Sequence, residues 1–410
     1  MQRPLVRSFR QLETELDPAS PIVTLFSGGL DSSYLLLRLR QMGMTEVHAV
    51  SFDLGGSEPG DHRREIADAL GVRLHVLDRR EKFASSYVAP AIAAHATYLG
   101  VFPVSSTLSR PLIAQESAEL ADSLGAQAVI HTANRSQNSM RRLNGALGLM
   151  GYRGAYGSPY DLDPVDRDEK HRALREAGLD LLSGRSVSGD SNLWCREFES
   201  GIIDDPEEHS VPEELYRWSV LGVPTDPRTL SVSFESGVPV ALNDQRMPLV
   251  DLIGVLNDLV GQHGLGRYSG LEHLDSGEKV LEFREMPAAW LLLQSYRHVE
   301  AACCPAELIR EKQHLEQVWV REALEGRWFG PLHHAAQRFI ESCAQHVTGR
   351  VSWLLRTGGA ETRSITTPRP LYLRDREAWE ARSIAAETGR QTPARPVPSD
   401  MPRKDLAHVQ

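Results

Sequence analysis

The stretch Phe26–Ser33, F-S-G-G-L-D-S-S, decides the fold that we expect for the first part of the chain. An apolar segment, Pro21–Phe26, leads into it and has the composition of a buried strand. A helical segment, Ser32–Arg40, follows it. Two adjacent glycines between a strand and a helix let the backbone turn tightly and approach an anion, which the first N–H groups of the helix then face. The stretch therefore predicts a polyphosphate-binding loop.

Two familiar phosphate-binding motifs do not fit this loop. The Walker motif ends in Gly-Lys-Ser or Gly-Lys-Thr, and no lysine closes the loop here; the G-x-G-x-x-G pattern is also missing. The alternative without a ligand is an ordinary glycine turn in which Asp31 or Ser32 caps the helix. Instead, S-G-G-L-D-S resembles the pyrophosphate loop of the N-type ATP pyrophosphatases. That resemblance implies an enzyme that splits ATP into AMP and pyrophosphate while it adenylates a substrate oxygen.

Strands and helices alternate from the loop to Ala133. Further strands are predicted at Glu46–Leu54, Val72–Asp78 and Ala126–Ala133, and helices at His62–Leu70, Lys82–Ala96 and Ser109–Leu124, the last with Pro111 in its first turn. This alternation predicts an α/β fold, with a doubly wound parallel sheet covered on both faces. Ligands in such sheets bind beyond the carboxyl ends of the strands. The candidate segments are Ser27–Ser33, Phe52–Gly56 and the polar run after His131.

The later part of the chain has an α+β pattern. We expect a hairpin at Leu230–Phe234 and Val238–Leu242, a helix at Val250–Val260, a strand at Lys279–Glu285, helices between Ala289 and Val347, a second hairpin around Gly358 and a terminal helix at Asp375–Thr388. The Gly/Ser-rich segment Ser183–Asn192 alone indicates a linker. We predict a first domain at residues 1–175, which contains the loop, a second domain at 176–368, and a C-terminal helix with a flexible, proline-rich tail at 369–410.

Composition limits the classes of function. The net charge of −10 over 410 residues disfavours a nucleic-acid partner, which needs a basic surface. The four cysteines form no paired motif and indicate a reducing compartment. No segment has the length and hydropathy of a membrane span or the apolar run of a leader. We therefore expect a cytoplasmic protein with no membrane partner.

Four stretches together resemble one member of this group, the argininosuccinate synthase family. Besides the loop, they are Pro103–Ala114 (P-V-S-S-T-L-S-R-P-L-I-A), Ser188–Pro206, and Val238–Leu242 with Gly261–Arg267 (G-Q-H-G-L-G-R). The similarity is collinear from Pro21 to Tyr372. It implies a ligase that adenylates a ureido oxygen of a citrulline-like molecule, after which an amine displaces AMP. It also implies ATP and Mg²⁺, small-molecule substrates, and a homotetramer held partly by the C-terminal helix.

Carried over by position, the resemblance implies a nucleotide site. Its predicted nucleotide contacts are Phe26, Ser27, Gly28, Gly29, Leu30, Asp31, Ser32, Ser33, Phe52 and His131. Ser27, Asp31 and Ser32 are the predicted catalytic residues. No protein cage of carboxylates is visible for a metal, so Mg²⁺ is expected on the phosphates.

The predicted acceptor pocket keeps only part of the family pattern. Four residues match positions that hold citrulline in the family: Asn138, Arg142, Ser188 and Glu272. Four others depart from the pattern: Phe102 and Arg284 replace tyrosines, and Thr107 and Glu197 replace serines. Because burying either charge alone is costly, Glu197 and Arg284 are expected either to pair with each other or to bind substrate.

The predicted amine pocket has changed further. The family's T-G-K-G-N-D run corresponds here to Asn134–Ser139, N-R-S-Q-N-S. Ser139 takes the place of the aspartate that meets the substrate ammonium, so a charge-assisted hydrogen bond is lost. The family's P-W-R becomes Pro159-Tyr160-Asp161. Arg284 and Arg135 suggest, as a hypothesis, a more acidic substrate.

We therefore predict an argininosuccinate synthase-like ligase with one or both substrates changed, and a place in natural-product biosynthesis. The first alternative is an argininosuccinate synthase of arginine biosynthesis. The second is a nucleotide-binding protein without catalysis. A sulfurtransferase built on the same loop is disfavoured, because no cysteine lies near the loop to form a persulfide.

Overall fold

The computed structural model describes residues 5–56, 62–179, 187–219, 226–274 and 277–388. The chain forms two compact units, Met1–Pro368 and Arg369–Gln410. Within the described ranges, no helix is both long enough and apolar enough to cross a bilayer.

The elements are numbered along the chain. The strands are β1 Leu5–Val6, β2 Ile22–Leu25, β3 Val47–Asp53, β4 Arg73–Asp78, β5 Thr97–Tyr98, β6 Phe102–Pro103, β7 Ala128–Ile130, β8 Ala155–Gly157, β9 Ser188–Ser191, β10 Arg196–Glu199, β11 Arg228–Glu235, β12 Val238–Leu242, β13 Gln245–Arg246, β14 Arg267–His273, β15 Lys279–Glu285, β16 Gly349–Arg356 and β17 Gly359–Thr366. The α-helices are α1 Phe9–Glu15, α2 Leu30–Gln41, α3 Arg63–Ala69, α4 Arg80–Phe83, α5 Ala89–Ala93, α6 Ser106–Leu124, α7 Ser139–Met150, α8 Arg167–Glu176, α9 Leu249–Gly261, α10 Pro287–Cys303, α11 Ala306–Leu324, α12 Pro331–Ala344 and α13 Arg376–Thr388.

A parallel sheet organises the first part of the chain, in the order β1-β8-β7-β2-β3-β4. Ile22, Val23 and Thr24 of β2 are fully buried, as expected for a central strand with helices on both faces. This confirms the α/β, doubly wound class predicted from the alternation of strands and helices. Since β7, β2 and β3 are neighbours, the segments that follow them meet at one edge of the sheet.

Two antiparallel sheets form the later part. One has the order β14-β15-β10-β9, and the other β13-β12-β11-β16-β17. The largest hydrophobic core contains residues from both parts of the chain, among them Leu54, Leu108, Trp194 and Leu292. The predicted boundary at 175/176 lies within the first compact unit and stays a prediction.

Three local predictions were wrong. Helix α6 begins at Ser106, so Pro111 lies inside the helix rather than in its first turn; having no N–H, it cannot donate to the carbonyl of Thr107. The predicted helix Lys82–Ala96 is interrupted by a π-helical turn at Ala84–Val88 and ends at Ala93. The described part of the suspected linker, from Ser188, is strand β9, because pairing with β10 satisfies its backbone.

The second compact unit contains helix α13. Its side chains Trp379 and Ile384 are exposed, as are Leu371, Tyr372 and Leu373 before it. Of the predicted terminal helix, only the first residue differs. The predicted flexible tail beyond Thr388 lies outside the described residues.

Candidate active site

The turn between β2 and α2 is the centre of the candidate site. β2 ends at Leu25 and α2 begins at Leu30, so Phe26–Gly29 make the turn. Gly28 has φ +77°, and a Cβ at this position would lie 2.6 Å from Cγ of Arg63. Glycine is therefore required here by backbone conformation and by space. Gly29 is the N-cap without a side chain of its own, which leaves the first N–H groups of α2 facing the turn.

The loop residues divide into supports and exposed groups. Phe26 and Ser33 are buried; the N–H of Phe26 donates to the carbonyl of Val50, and the Ser33 hydroxyl donates to the carbonyl of Gly29 (2.8 Å). Ser27 is exposed, and its Oγ lies 3.3 Å from Oγ of Ser32. Leu30, which is partly buried, packs against the core beneath the sheet. The N–H of Gly29 donates to Oγ of Ser27 (3.3 Å), and the carbonyl of Gly29 accepts from the hydroxyls of Ser32 and Ser33. Ser27 and Gly28 are therefore the loop residues that face an incoming anion.

Asp31 is held by two residues that the sequence did not single out as functional. Lys170 of α8 places its Nζ 2.7 Å from Oδ1 of Asp31 and 5.0 Å from the centre of the Tyr160 ring. The Tyr160 hydroxyl donates to the backbone carbonyl of Asp31 (2.9 Å). The first turn of α2 therefore has both a carboxylate and an ammonium group beside the loop.

Phe52 and His131 lie where the sheet topology predicts. Phe52 is near the end of β3 and half-buried, and His131 directly follows β7. The buried His131 ring has Nε2 2.9 Å from Oδ1 of Asn144, while Nδ1 accepts a hydrogen bond from the N–H of Ala133. Burial lowers the pKa of His131 to about 4. The ring is therefore neutral at physiological pH and acts as an uncharged support at this edge of the sheet.

The four-stranded sheet brings the replaced acceptor residues together. Glu197 of β10 lies opposite Arg284 of β15, and the two side chains form an ion pair, the first of the two expected arrangements. Arg284 also pairs with Glu282, and its guanidinium carbon lies 4.2 Å from the centre of the Phe102 ring. Arg284 is only 2% exposed. Three of the four departures from the family pattern therefore form one buried contact cluster.

The retained acceptor residues join the same cluster. Arg142 Nη2 is 2.7 Å from Oε1 of Glu272, whose other oxygen is 3.7 Å from Arg284. Arg142 also donates to the hydroxyl of Ser106 (3.0 Å). Asn138 is the N-cap residue of α7, and its side chain donates through Nδ2 to the carbonyl of His273 (3.0 Å). Thr107 is buried in the first turn of α6 and Ser188 begins β9, so the sheet and two helix starts converge on this region.

Neighbouring carboxyl groups in the cluster have pKa values that are shifted in opposite directions. Burial alone would raise the pKa of Glu272, but the guanidiniums of Arg142 and Arg284 outweigh it and hold the pKa at about 2. Burial raises the pKa of Glu282 well above its usual range. Burial, with the nearby charges of Glu197 and Glu272, also raises the pKa of Glu199. Carboxyl groups with lowered and with raised pKa values therefore lie side by side on one sheet face.

The predicted amine segment is ordered by contacts of its own. Oδ1 of Asn134 accepts hydrogen bonds from the N–H and hydroxyl of Ser136 (3.0 and 2.7 Å). Ser139 begins α7, and Arg110 donates to its hydroxyl (3.0 Å). Arg110 also pairs with Asp190 (2.8 Å). A guanidinium thus lies beside the position where the family has an acidic side chain.

The hypothesis of a more acidic substrate loses the support of Arg284 in this geometry. Arg284 is balanced by Glu197 and Glu282. Arg135 donates through Nε to Oδ1 of Asp161 (2.8 Å), which replaces the arginine of the family's P-W-R. Asp161 also pairs with Arg7, so one carboxylate serves two arginines and the exposed Arg135 is only partly neutralised.

Several site residues escaped the sequence interpretation. Glu282 lies two residues before Arg284 on β15, so strand alternation would have placed both on one face. Arg110 lies in the Pro103–Ala114 stretch that resembles the family, but the sequence alone gives it no role. Lys170 and Tyr160 meet Asp31 across 139 and 129 residues, and no local pattern predicts that contact.

Known proteins resemble the chain over almost its whole length. Residues 21–147 match the family model for the arginosuccinate synthase N-terminal HUP domain, and residues 187–388 match that for the C-terminal domain. The argininosuccinate synthase of Rubrobacter xylanophilus is 34% identical over 371 residues, which cover 90% of each chain. That of Methanopyrus kandleri is 34% identical over 385 residues, covering 90% of this chain and 95% of the relative. The chain therefore belongs to the argininosuccinate synthase family, whose members are ATP-dependent carbon–nitrogen ligases that release AMP and pyrophosphate.

Proposed function

We propose that this protein binds ATP at the Phe26–Ser33 loop, adenylates the oxygen of a ureido acceptor with release of pyrophosphate, and lets an amine displace AMP. The observation that supports this most directly is the loop itself. Gly28 has a backbone that only glycine adopts easily, and the free start of α2 lies at the carboxyl edge of a parallel sheet. Both features suit a bound polyphosphate.

The chemistry explains why such a site needs fixed donors. A ureido oxygen is a poor leaving group until it is adenylated, and pyrophosphate gathers negative charge as it departs. Donors that are already in place stabilise that charge without reorganisation. The hydroxyl of the buried Ser32 donates to the carbonyl of Gly29 (3.1 Å) and supports the turn. Ser27 and the N–H groups of α2 are the donors we assign to this role.

We also propose Mg²⁺ on the ATP phosphates. Among the described residues, no group of three His, Cys, Asp or Glu side chains is arranged to hold a metal ion. Asp31, in the first turn of α2, is the carboxylate that fits such an ion, because Mg²⁺ in phosphate sites usually takes one or two carboxylates and the substrate's own oxygens. The ion would offset charge on the phosphates.

Citrulline and aspartate are the first pair of substrates to consider. Relatives called argininosuccinate synthase share 34% identity over 90% of this chain. The retained Asn138, Arg142 and Glu272 support a citrulline-like acceptor. On this reading the enzyme makes argininosuccinate for arginine biosynthesis.

A changed pair of substrates is the second candidate, and specific contacts favour it. Arg284, Glu197 and Phe102 form a buried cluster at the acceptor positions, and Arg110 meets Ser139 at the amine position. Such a ligase would suit natural-product biosynthesis. The two candidates share the adenylation step and differ only in specificity.

The deciding experiment is AMP and pyrophosphate release from Mg-ATP, with product identified by mass spectrometry. Citrulline plus aspartate is the first pair, followed by pools that replace each in turn. Argininosuccinate formed at the rate of a known synthase supports the first candidate and removes the second. AMP release that occurs with another pair and not with citrulline plus aspartate supports the second candidate. If no pair gives AMP release, the proposed ligase function is refuted.

We further propose a cytoplasmic homotetramer without nucleic-acid or membrane partners. The exposed Trp379 and Ile384 of α13 offer apolar contact area for a second copy, and the net charge of −10 disfavours nucleic acid. Light scattering of the full chain and of a chain ending at Pro368 tests the assembly. If both proteins have the same number of chains per particle, the C-terminal helix has no role in the assembly.

A further inference from the structure

Lys170 lies at the nucleotide loop although it is 139 residues from Asp31 in the sequence. It projects from α8, and its Nζ hydrogen-bonds Oδ1 of Asp31 at 2.7 Å. Its side chain is 11% exposed, whereas that of Asp31 is 34% exposed. A lysine this enclosed is fixed in place rather than sampling solvent, because most of its stem is packed against protein.

Tyr160 fixes the position of the ammonium group. Its ring centre lies 5.0 Å from Nζ of Lys170, a distance at which a ring face attracts a cation. Its hydroxyl donates to the carbonyl of Asp31, so the same residue touches both members of the ion pair. Lys170, Tyr160 and Asp31 thus form a clamp on the first turn of α2.

An anion at this loop needs a cation. The loop itself offers hydroxyl and N–H donors, and its one charged side chain is the carboxylate of Asp31, so a cationic side chain has to come from elsewhere in the chain. Lys170 balances that carboxylate and has three N–H donors, of which Asp31 takes one. Ser136 stands where the family's T-G-K-G-N-D run has a lysine, and Arg135 beside it already pairs with Asp161.

We propose that Lys170 is a phosphate-binding residue, whose ammonium contacts the β- and γ-phosphates of ATP and stays with pyrophosphate as it departs. In this step the acceptor oxygen bonds to the α-phosphorus, and the bond from that phosphorus to the bridging oxygen breaks. The electron pair of the broken bond leaves on pyrophosphate, and the lysine keeps its protons. The proposal rests on the proposed function, since it requires that the loop bind ATP.

The competing explanation is an ion pair that only attaches α8 to α2. The variants K170M and K170R separate the two, with K82M as a control. Lys82 pairs with Glu116 at 2.6 Å, outside the residues assigned to the site; its side chain is 36% exposed, and Glu116 keeps Arg79 as a second partner. K82M therefore shows the effect of losing a lysine ion pair away from the loop, whereas loss of a phosphate contact raises the Kd for pyrophosphate in K170M alone.

Titration calorimetry with magnesium pyrophosphate and, separately, with AMP needs no knowledge of the acceptor. We expect K170M to raise the Kd for pyrophosphate by at least tenfold while the Kd for AMP changes by less than twofold. K170R should recover most of the affinity, and K82M should match the wild type. Wild-type affinity for pyrophosphate in a folded K170M would overturn the proposal.

A second measurement uses the unmodified protein, in case K170M does not fold. Lysines are acetylated with a limiting reagent, with and without magnesium pyrophosphate, and the extent at Lys170 and Lys82 is read by mass spectrometry. Bound pyrophosphate should slow acetylation of Lys170 at least fivefold and leave Lys82 unchanged. Equal labelling of Lys170 in a protein that binds pyrophosphate overturns this inference alone, whereas a wild type that binds neither ATP nor pyrophosphate overturns the proposed function with it.

Discussion

Arg284 and Glu197 should depend on each other, and their exchange for the family's residues tests this. In R284Y the guanidinium is lost, and Glu197 and Glu282 remain in a buried place without it. Removing one partner of a buried ion pair costs about 3–5 kcal/mol, because the remaining charge has lost its compensation. Burial raises the pKa of Glu282, so we assign the larger share of this cost to Glu197.

In the R284Y background, adding E197S should therefore recover part of the lost stability. E197S alone leaves Arg284 with Glu282 and near Glu272, and we expect a loss of about 1–2 kcal/mol from one charged hydrogen bond. R284Y/E197S removes the carboxylate of Glu197 together with its guanidinium partner, so the double variant should be more stable than R284Y. The coupling energy should be on the order of 2 kcal/mol, in the range seen for residues in direct contact.

Urea unfolding followed by circular dichroism at pH 7 measures the four members of this cycle. A matched pair, R350M and D244N, removes an exposed ion pair and should change stability by less than about 1 kcal/mol. If the two substitutions at positions 197 and 284 are additive, the argument that they form one buried charge unit is wrong. The same proteins, assayed for AMP release with citrulline, report whether the family's residues improve its use.

Two further outcomes follow from single residues. H333F should stabilise the fold, because both ring nitrogens of the buried His333 lack partners among the described residues and burial between Trp319 and Trp328 lowers its pKa to about 4. Between pH 6.5 and 4 the unfolded state binds a proton at this histidine and the folded state does not, so the wild type becomes less stable as the pH is lowered. The stability advantage of H333F, measured by urea unfolding, should therefore grow by about 2 kcal/mol from pH 7 to pH 5. An equal gain in H334F, at the exposed neighbour, would contradict this. G28A puts a side chain into a left-handed backbone conformation against Arg63; it should raise the KM for ATP at least tenfold and lower the free energy of unfolding by about 1–2 kcal/mol. Unchanged KM would show that the loop does not approach the nucleotide closely.

Local patterns were sufficient for the nucleotide loop and for the class of fold. The glycine pair in Phe26–Ser33 and the alternation of strands with helices are properties of neighbouring residues, and they predicted the turn, the sheet and its functional edge. The motif order then pointed to the argininosuccinate synthase family. Local patterns failed to predict the strand at Ser188–Ser191. This segment is polar and contains a glycine, and it forms a strand because β10 offers hydrogen-bond partners.

The charges of the site were decided by the tertiary structure. The sequence by itself suggested that Arg284 and Glu197 pair. It did not indicate that Glu282 and Phe102 enclose Arg284, or that Lys170 reaches Asp31. Such contacts join residues far apart in the chain, so they depend on sheet register and helix packing rather than on neighbouring residues. Whether an arginine attracts a substrate or is already neutralised follows from those contacts alone, because charge acts through distance in space.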